Sequence, residues 1–257
     1  MLQDASGWVH RAGARLRPDP GRGRPRSRVP WDWSDIAIFL LLYITGSAIL
    51  GELADSGAFQ GLGRGLLRGM PAAEQTAVGS LALQTAVYAM ALAIVLVLAL
   101  AREHARVADL GWRLPRWWWL PIAVLVAAGS YELLTLIANG IHALDPTATN
   151  GQIHEVQGEY GTNLDFALPA VSVVAPIVEE TFFRGFVYGW MRRQLNVPAA
   201  AVLSGCFFAL VHFQPVIFVP LAVLGVVLAL LYEYSGSLLP GMVVHALFNL
   251  VEIIAIL

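Results

Sequence analysis

Beyond position 30 the chain is built of apolar blocks, each broken by a short polar, glycine- or proline-containing turn. The blocks are roughly twenty residues long, the length a helix rising about 1.5 Å per residue needs to cross a hydrocarbon core of about 30 Å. Seven are read, near 35–54, 76–101, 117–141, 166–192, 198–213, 216–234 and 238–257. In lipid only helices and closed barrels satisfy every backbone group, and the period-two alternation of a barrel strand is missing. The predicted fold class is therefore all-α, a polytopic transmembrane helix bundle of about seven spans. No internal repeat or second domain interrupts 31–257, which reads as one transmembrane domain.

Composition agrees with a bilayer as solvent: 57% of residues are hydrophobic and 13% charged, with a mean hydropathy of +0.64, far from a soluble domain of this length. The net charge of -2 conceals an asymmetry. Residues 1–30 carry seven arginines against two acids among many Pro and Gly, a basic tail with no core to bury. Beside a membrane such a tail reads as a cytoplasmic anchor orienting the first span, in preference to a nucleic-acid arm, so no nucleic-acid partner is expected. If the tail is inside, so are the loop with Arg102, Arg106, Arg113 and Arg116 and the turn with Arg192 and Arg193. The loop over 142–165, with acids but no Lys or Arg, is then outside. Trp117, Trp118 and Trp119 beside Arg116 read as an interfacial belt. No cleavable signal peptide is expected, and high Arg and Ala usage points to a bacterial inner membrane. The segment from Glu52 to Glu74, glycine-rich with Arg64 and Arg68, is open between a loop and a surface helix. Cys206, the single cysteine, reads as a small buried residue.

Against this apolar background a few ionisable residues need a reason. The fourth span holds Glu179, Glu180 and Arg184. Glu180 and Arg184 are i and i+4, on one helix face, and neutralise each other. Glu179, about 100° round the helix, is left as the unpaired carboxylate, suited to take a proton from water and return it to a leaving amine. Phe208 and His212 end the fifth span, and His245 and Asn249 lie i and i+4 on the seventh. A hairpin turning at Asn196 would set Glu179 and His212 at one level, each about 16–17 residues from the turn. The competing reading is that these side chains only pair with one another to fix helix packing. Glu132 and Glu252 are candidates to line the same space, whereas His154 and Glu155 belong in the outer loop.

Glu-Glu-x-x-x-Arg at 179–184, Phe-x-x-x-His at 208–212 and His-x-x-x-Asn at 245–249, in that order on separate spans, resemble the CAAX protease and bacteriocin-processing (CPBP) family. It includes the eukaryotic CAAX endoprotease that trims prenylated proteins and the lysostaphin resistance protein A-like, or Abi, proteins. The resemblance covers 165–257. It implies an intramembrane endopeptidase with its active site between spans 4, 5 and 7, acting on a membrane-associated peptide or protein. Glu179 with His212 would activate a water, and His245 and Asn249 would stabilise the oxyanion. Glu180, Arg184 and Phe208 would support the site by ordering it, or the first two by holding a substrate carboxylate. One Glu and two His also raise a zinc alternative, with Glu179, His212 and His245 as ligands. The absence of His-Glu-x-x-His and the presence of Asn249, a poor zinc ligand but a good oxyanion donor, favour no cofactor. The other classes open to buried Glu and His are a proton-coupled transporter and a non-catalytic scaffold. The first is weakened by the lack of two related halves, the second by the presence of all four catalytic residue types.

Overall fold

A computed structural model of the protein describes residues 29–57, 67–148, 151–160 and 163–256. Most of the expected basic tail (1–28) and Arg64 lie outside these residues. Among the described residues every regular element is helical. In chain order they are α1 (Trp33–Asp55), α2 (Ala72–Leu96, continued by the wider π turn Val97–Arg102), α3 (Trp119–Leu144) and α4 (Gly151–Tyr160). A helical run over 167–194, here α5, leads to α6 (Val197–Leu210), α7 (Phe218–Ser235) and α8 (Leu239–Ile256). Four stretches are long and apolar enough to cross a membrane: Trp33–Asp55, Ala72–Arg102, Trp119–Leu144 and Pro215–Ser235. α6 and α8 are apolar but shorter, and the charges of α5 interrupt its apolar course. The polytopic helical bundle expected from the hydrophobic pattern is present. The outer loop expected over 142–165 is partly helical: α3 runs on to Leu144, and the ten-residue α4 follows, with His154 exposed upon it.

α1 begins at Asp32, whose carboxylate accepts the Ser34 N–H at 2.7 Å while Asp35 accepts the Asp32 N–H at 2.9 Å, a reciprocal cap that satisfies two of the donors a helix start leaves free. Asp35 is buried and ion-paired with Arg102 at the end of α2, so the cap also ties the first two spans together. Between α2 and α3, the Arg106 guanidinium hydrogen-bonds Asp109 and holds that carboxyl below the usual carboxylate range. Arg116 lies 5.0 Å from the Trp118 ring centre, and Trp117 is exposed. Leu41, Ile44, Leu125 and Leu136 point outward, a costly arrangement in water but a neutral one against lipid tails.

α5 runs through the centre, and every residue of its Thr181–Tyr188 stretch is buried. One apolar cluster joins it to Phe39 of α1, Val95 of α2, Phe208 of α6 and Leu221 of α7, while a second joins Leu134 of α3 to Leu228 of α7 and Val244 of α8. α6 and α7 meet backbone to backbone. A Cβ on Gly205 would lie 2.6 Å from the Ala222 carbonyl oxygen, and one on Gly225 2.6 Å from the Gly205 Cα. Small residues permit this approach where lipid supplies no hydrophobic drive between helices. Gly205→Val should therefore force α6 off α7 and lower stability by about 1–3 kcal/mol, read as a lower unfolding midpoint of the detergent-solubilised protein; an unchanged midpoint contradicts the close packing.

Candidate active site

The site starts with a defect in α5. The run alternates α turns (Ala167–Pro169, Ala175–Glu180, Gly189–Gln194) with wider π turns (Ala170–Val174, Thr181–Tyr188), the kind of insertion that recurs at functional sites. In the first π turn the Ala175 N–H donates to the Ala170 carbonyl. The next donor in that register belongs to residue 176, a proline, which has no N–H. The Val171 carbonyl is instead met by the side-chain amide of Asn249 on α8, whose Nδ2 donates at 2.8 Å. Asn249 thus closes the gap and locks α8 to α5. Its amide carries a second N–H, and its side chain borders the central cavity.

One turn further on, Arg184 Nη1 donates to Glu180 Oε1 at 2.8 Å, with the two side chains 0% and 1% exposed. The i, i+4 pairing expected of a regular helix survives in the wider turn. Arg184 Nη2 reaches the Gly225 carbonyl of α7 at 3.3 Å, and its guanidinium carbon sits 4.6 Å from the Phe208 ring centre, within cation–π range. Gly241 of α8 leaves room for the Glu180 carboxylate: a Cβ there would lie 3.0 Å from Oε2. His245 joins the same group, its Nδ1–H donating to Glu180 Oε1 at 3.0 Å.

Glu179 points elsewhere. Its Oε1 accepts a hydrogen bond from the Tyr88 hydroxyl of α2 at 3.2 Å. Its Oε2 lies 3.8 Å from His245 Nε2, beyond hydrogen-bond length, and is buried without any hydrogen-bond partner. His212 lies just past the end of α6, in a turn where Phe213 adopts a left-handed backbone (φ 52°), uncommon for a bulky residue. His212 Nδ1 is 2.7 Å from the Phe208 carbonyl; since a carbonyl only accepts, Nδ1 bears the proton and Nε2 keeps its lone pair. Phe208 is the packing hub, 4.8 Å from the His212 ring and 5.7 Å edge-on from that of His245.

These side chains border one cavity of about 770 Å³, within the size range of small-molecule and peptide side-chain pockets. Glu179, His212, His245 and Asn249 all line it, with apolar walls from Phe39, Phe182, Leu221 and Phe248. Glu180 and Arg184 lie behind the wall.

Residues 162–251 match the family model described as Type II CAAX prenyl endopeptidase Rce1-like. Over this segment the chain is similar to the CAAX protease (CPBP) family. No curated protein and no solved structure matches the chain.

The similarity supports an intramembrane endopeptidase with a peptide or protein substrate and the bilayer as its surroundings. The matched segment contains α5 to α7 and most of α8, but neither α1 nor α2. Glu252, three residues after Asn249, lines the cavity as the sequence suggested. Glu132 does not: it is exposed on the outer face of α3, because a turn of α3 places Tyr131 and Leu134 inward instead. Cys206 is half-buried and free. Among the described residues no three His, Cys, Asp or Glu side chains are grouped to hold a metal ion. Tyr88, the hydrogen-bond partner of Glu179, escaped the sequence reading. Its one local signal is the i, i+4 pairing with Gln84, which marks a polar edge on an otherwise apolar helix.

Proposed function

We propose that the protein is a metal-free, glutamate-dependent intramembrane endopeptidase that cleaves a membrane-associated peptide or protein. The observation that carries this reading is Glu179 Oε2, a buried carboxylate oxygen without a partner, on the wall of a cavity shared with His212, His245 and Asn249. A water held between Glu179 and the free Nε2 of His212 gives its proton to Glu179 as its oxygen bonds to the substrate carbonyl carbon. The C–N bond then breaks, and Glu179 returns the proton to the departing amine nitrogen. Negative charge on the carbonyl oxygen meets the second N–H of Asn249 and the Nε2–H of His245. His245 Nδ1–H is committed to Glu180, which fixes the ring with Nε2 toward Glu179 and the cavity. Full burial of Glu180 and Arg184 supports an ordering role for the pair over capture of a substrate carboxylate. The apolar cavity walls suit an apolar segment entering from the bilayer. Three separate arginine-bearing segments support an inner-membrane protein with a cytoplasmic N-terminus.

The test is cleavage of synthetic apolar peptides by the purified full chain. His212→Ala should lose activity by roughly 10²-fold or more, and exhaustive chelation should leave the parent rate unchanged. Equal cleavage by the His212 variant removes that residue from the mechanism. Loss on chelation that zinc alone restores overturns the metal-free reading.

A further inference from the structure

Resting on the proposed role of Glu179 as base, we infer that Tyr88 is a positioning residue for that base, so the active site is completed by α2, outside the family segment. A glutamate carboxylate swings on two methylene groups, and Glu179 has a strong competing attraction nearby in the buried guanidinium of Arg184, one turn along the same helix. Turning toward Arg184 would withdraw it from the cavity. The Tyr88 hydroxyl, donating to Oε1 at 3.2 Å, holds it the other way. With Oε1 taken, Oε2 alone faces His245 Nε2 and stays free for a water.

Tyr88 is well placed to do this rigidly. It stands on a long span, half-buried among Tyr43 of α1, Ala91 of α2 and Val178 of α5, all bordering the same cavity. It packs against the apolar cluster that holds Phe39 of α1, Val95 of α2 and Phe182 of α5. A phenol also suits the task chemically. It donates one hydrogen bond to a carboxylate, carries no charge at neutral pH, and leaves the carboxylate ionised. The first two spans therefore contribute a group that bears on the chemistry of residues more than ninety positions away: Tyr88 and Glu179 are 91 apart.

The full chain, purified in detergent, is assayed on a peptide that the parent cleaves, with Tyr88→Phe, Tyr88→His and Glu179→Gln in parallel. Tyr88→Phe keeps the ring and removes only the hydroxyl. It should lower kcat roughly 10- to 100-fold, the scale of a hydrogen bond to a charged group, with KM unchanged within about two-fold. Tyr88→His, which retains a donor, should recover part of the rate. Unchanged kcat in Tyr88→Phe overturns the inference, and so does an effect confined to KM, which would make Tyr88 a substrate contact. Equal loss in both Tyr88 variants with a lowered unfolding midpoint also overturns it, since that pattern marks a packing residue. Failure of the underlying reading is separable: an active Glu179→Gln removes the base itself, whereas an inactive Glu179→Gln beside a fully active Tyr88→Phe removes only the role of Tyr88.

Discussion

Glu179→Gln leaves the bundle folded and lowers peptide turnover by roughly 10²–10⁴-fold, the usual contribution of a positioned general acid–base group. The substitution is nearly isosteric. Glutamine Oε1 still accepts the Tyr88 hydroxyl, so the side chain keeps the position that the carboxylate holds at 3.2 Å. What disappears is the capacity to take a proton. The stability change should be small, because the Glu179 side chain is 18% exposed to the cavity and makes no ion pair at hydrogen-bonding length. Turnover of a cleavable peptide, measured beside thermal unfolding in the same detergent, checks both halves. A variant that cleaves at the parent rate sinks the glutamate mechanism, and one that fails to fold makes Glu179 a structural residue.

Arg184→Leu has the opposite signature: its main effect is on stability. Removing the guanidinium strands Glu180, a carboxylate that is 1% exposed, with His245 as its remaining close partner. Breaking a buried pair from one side costs about 3–5 kcal/mol, whereas replacing both members by apolar side chains is often close to neutral. The double variant Glu180→Met with Arg184→Leu should therefore recover most of the stability lost in the single one. It should not recover activity, because His245 loses the acceptor for its Nδ1–H. Chemical or thermal unfolding of the three variants in one detergent, with peptide turnover on each, makes the comparison. If the double variant is as unstable as Arg184→Leu alone, the cost lies in lost packing on Phe208 and not in the stranded charge. If it regains activity, the pair does not order His245.

The parts of the site that were legible in the sequence were those set by helix periodicity. Glu180 and Arg184 share a face at i, i+4 and do pair. His245 and Asn249 share a face and both reach the cavity. Asn196 caps α6 by accepting the Ala199 N–H at 3.0 Å, and the α5–α6 hairpin that follows brings Phe183 against Phe207 and Phe208. Features that depend on contacts between distant segments were not legible. Glu179 and His212 were expected across the hairpin and do border one cavity, but Tyr88, the hydrogen-bond partner of Glu179, was not foreseen. The i, i+4 spacing of Gln84 and Tyr88 is a faint mark of which face of α2 turns inward, easily passed over because the rest of 76–101 is mostly apolar. The first π turn of α5 ends where Pro176 offers no N–H, and the Val171 carbonyl there takes its donor from α8, seventy-eight positions away. Glu132 shows the same limit from the other side: an acid in an apolar span reads as functional, yet it sits on the outer face of α3.

The order of these elements along the chain carries a consequence for biogenesis. Synthesis delivers the helix of Tyr88 first, then Glu179, Glu180 and Arg184 on α5, and His245 with Asn249 only on α8. Until α8 docks, the Val171 carbonyl lacks its donor and the two acids lack their imidazole. On the proposed mechanism, hydrolytic competence and relief of those unmet polar groups arrive in the same docking step, so a copy in the bilayer whose α8 has not docked would be inert toward its neighbours and would expose unsatisfied polar groups.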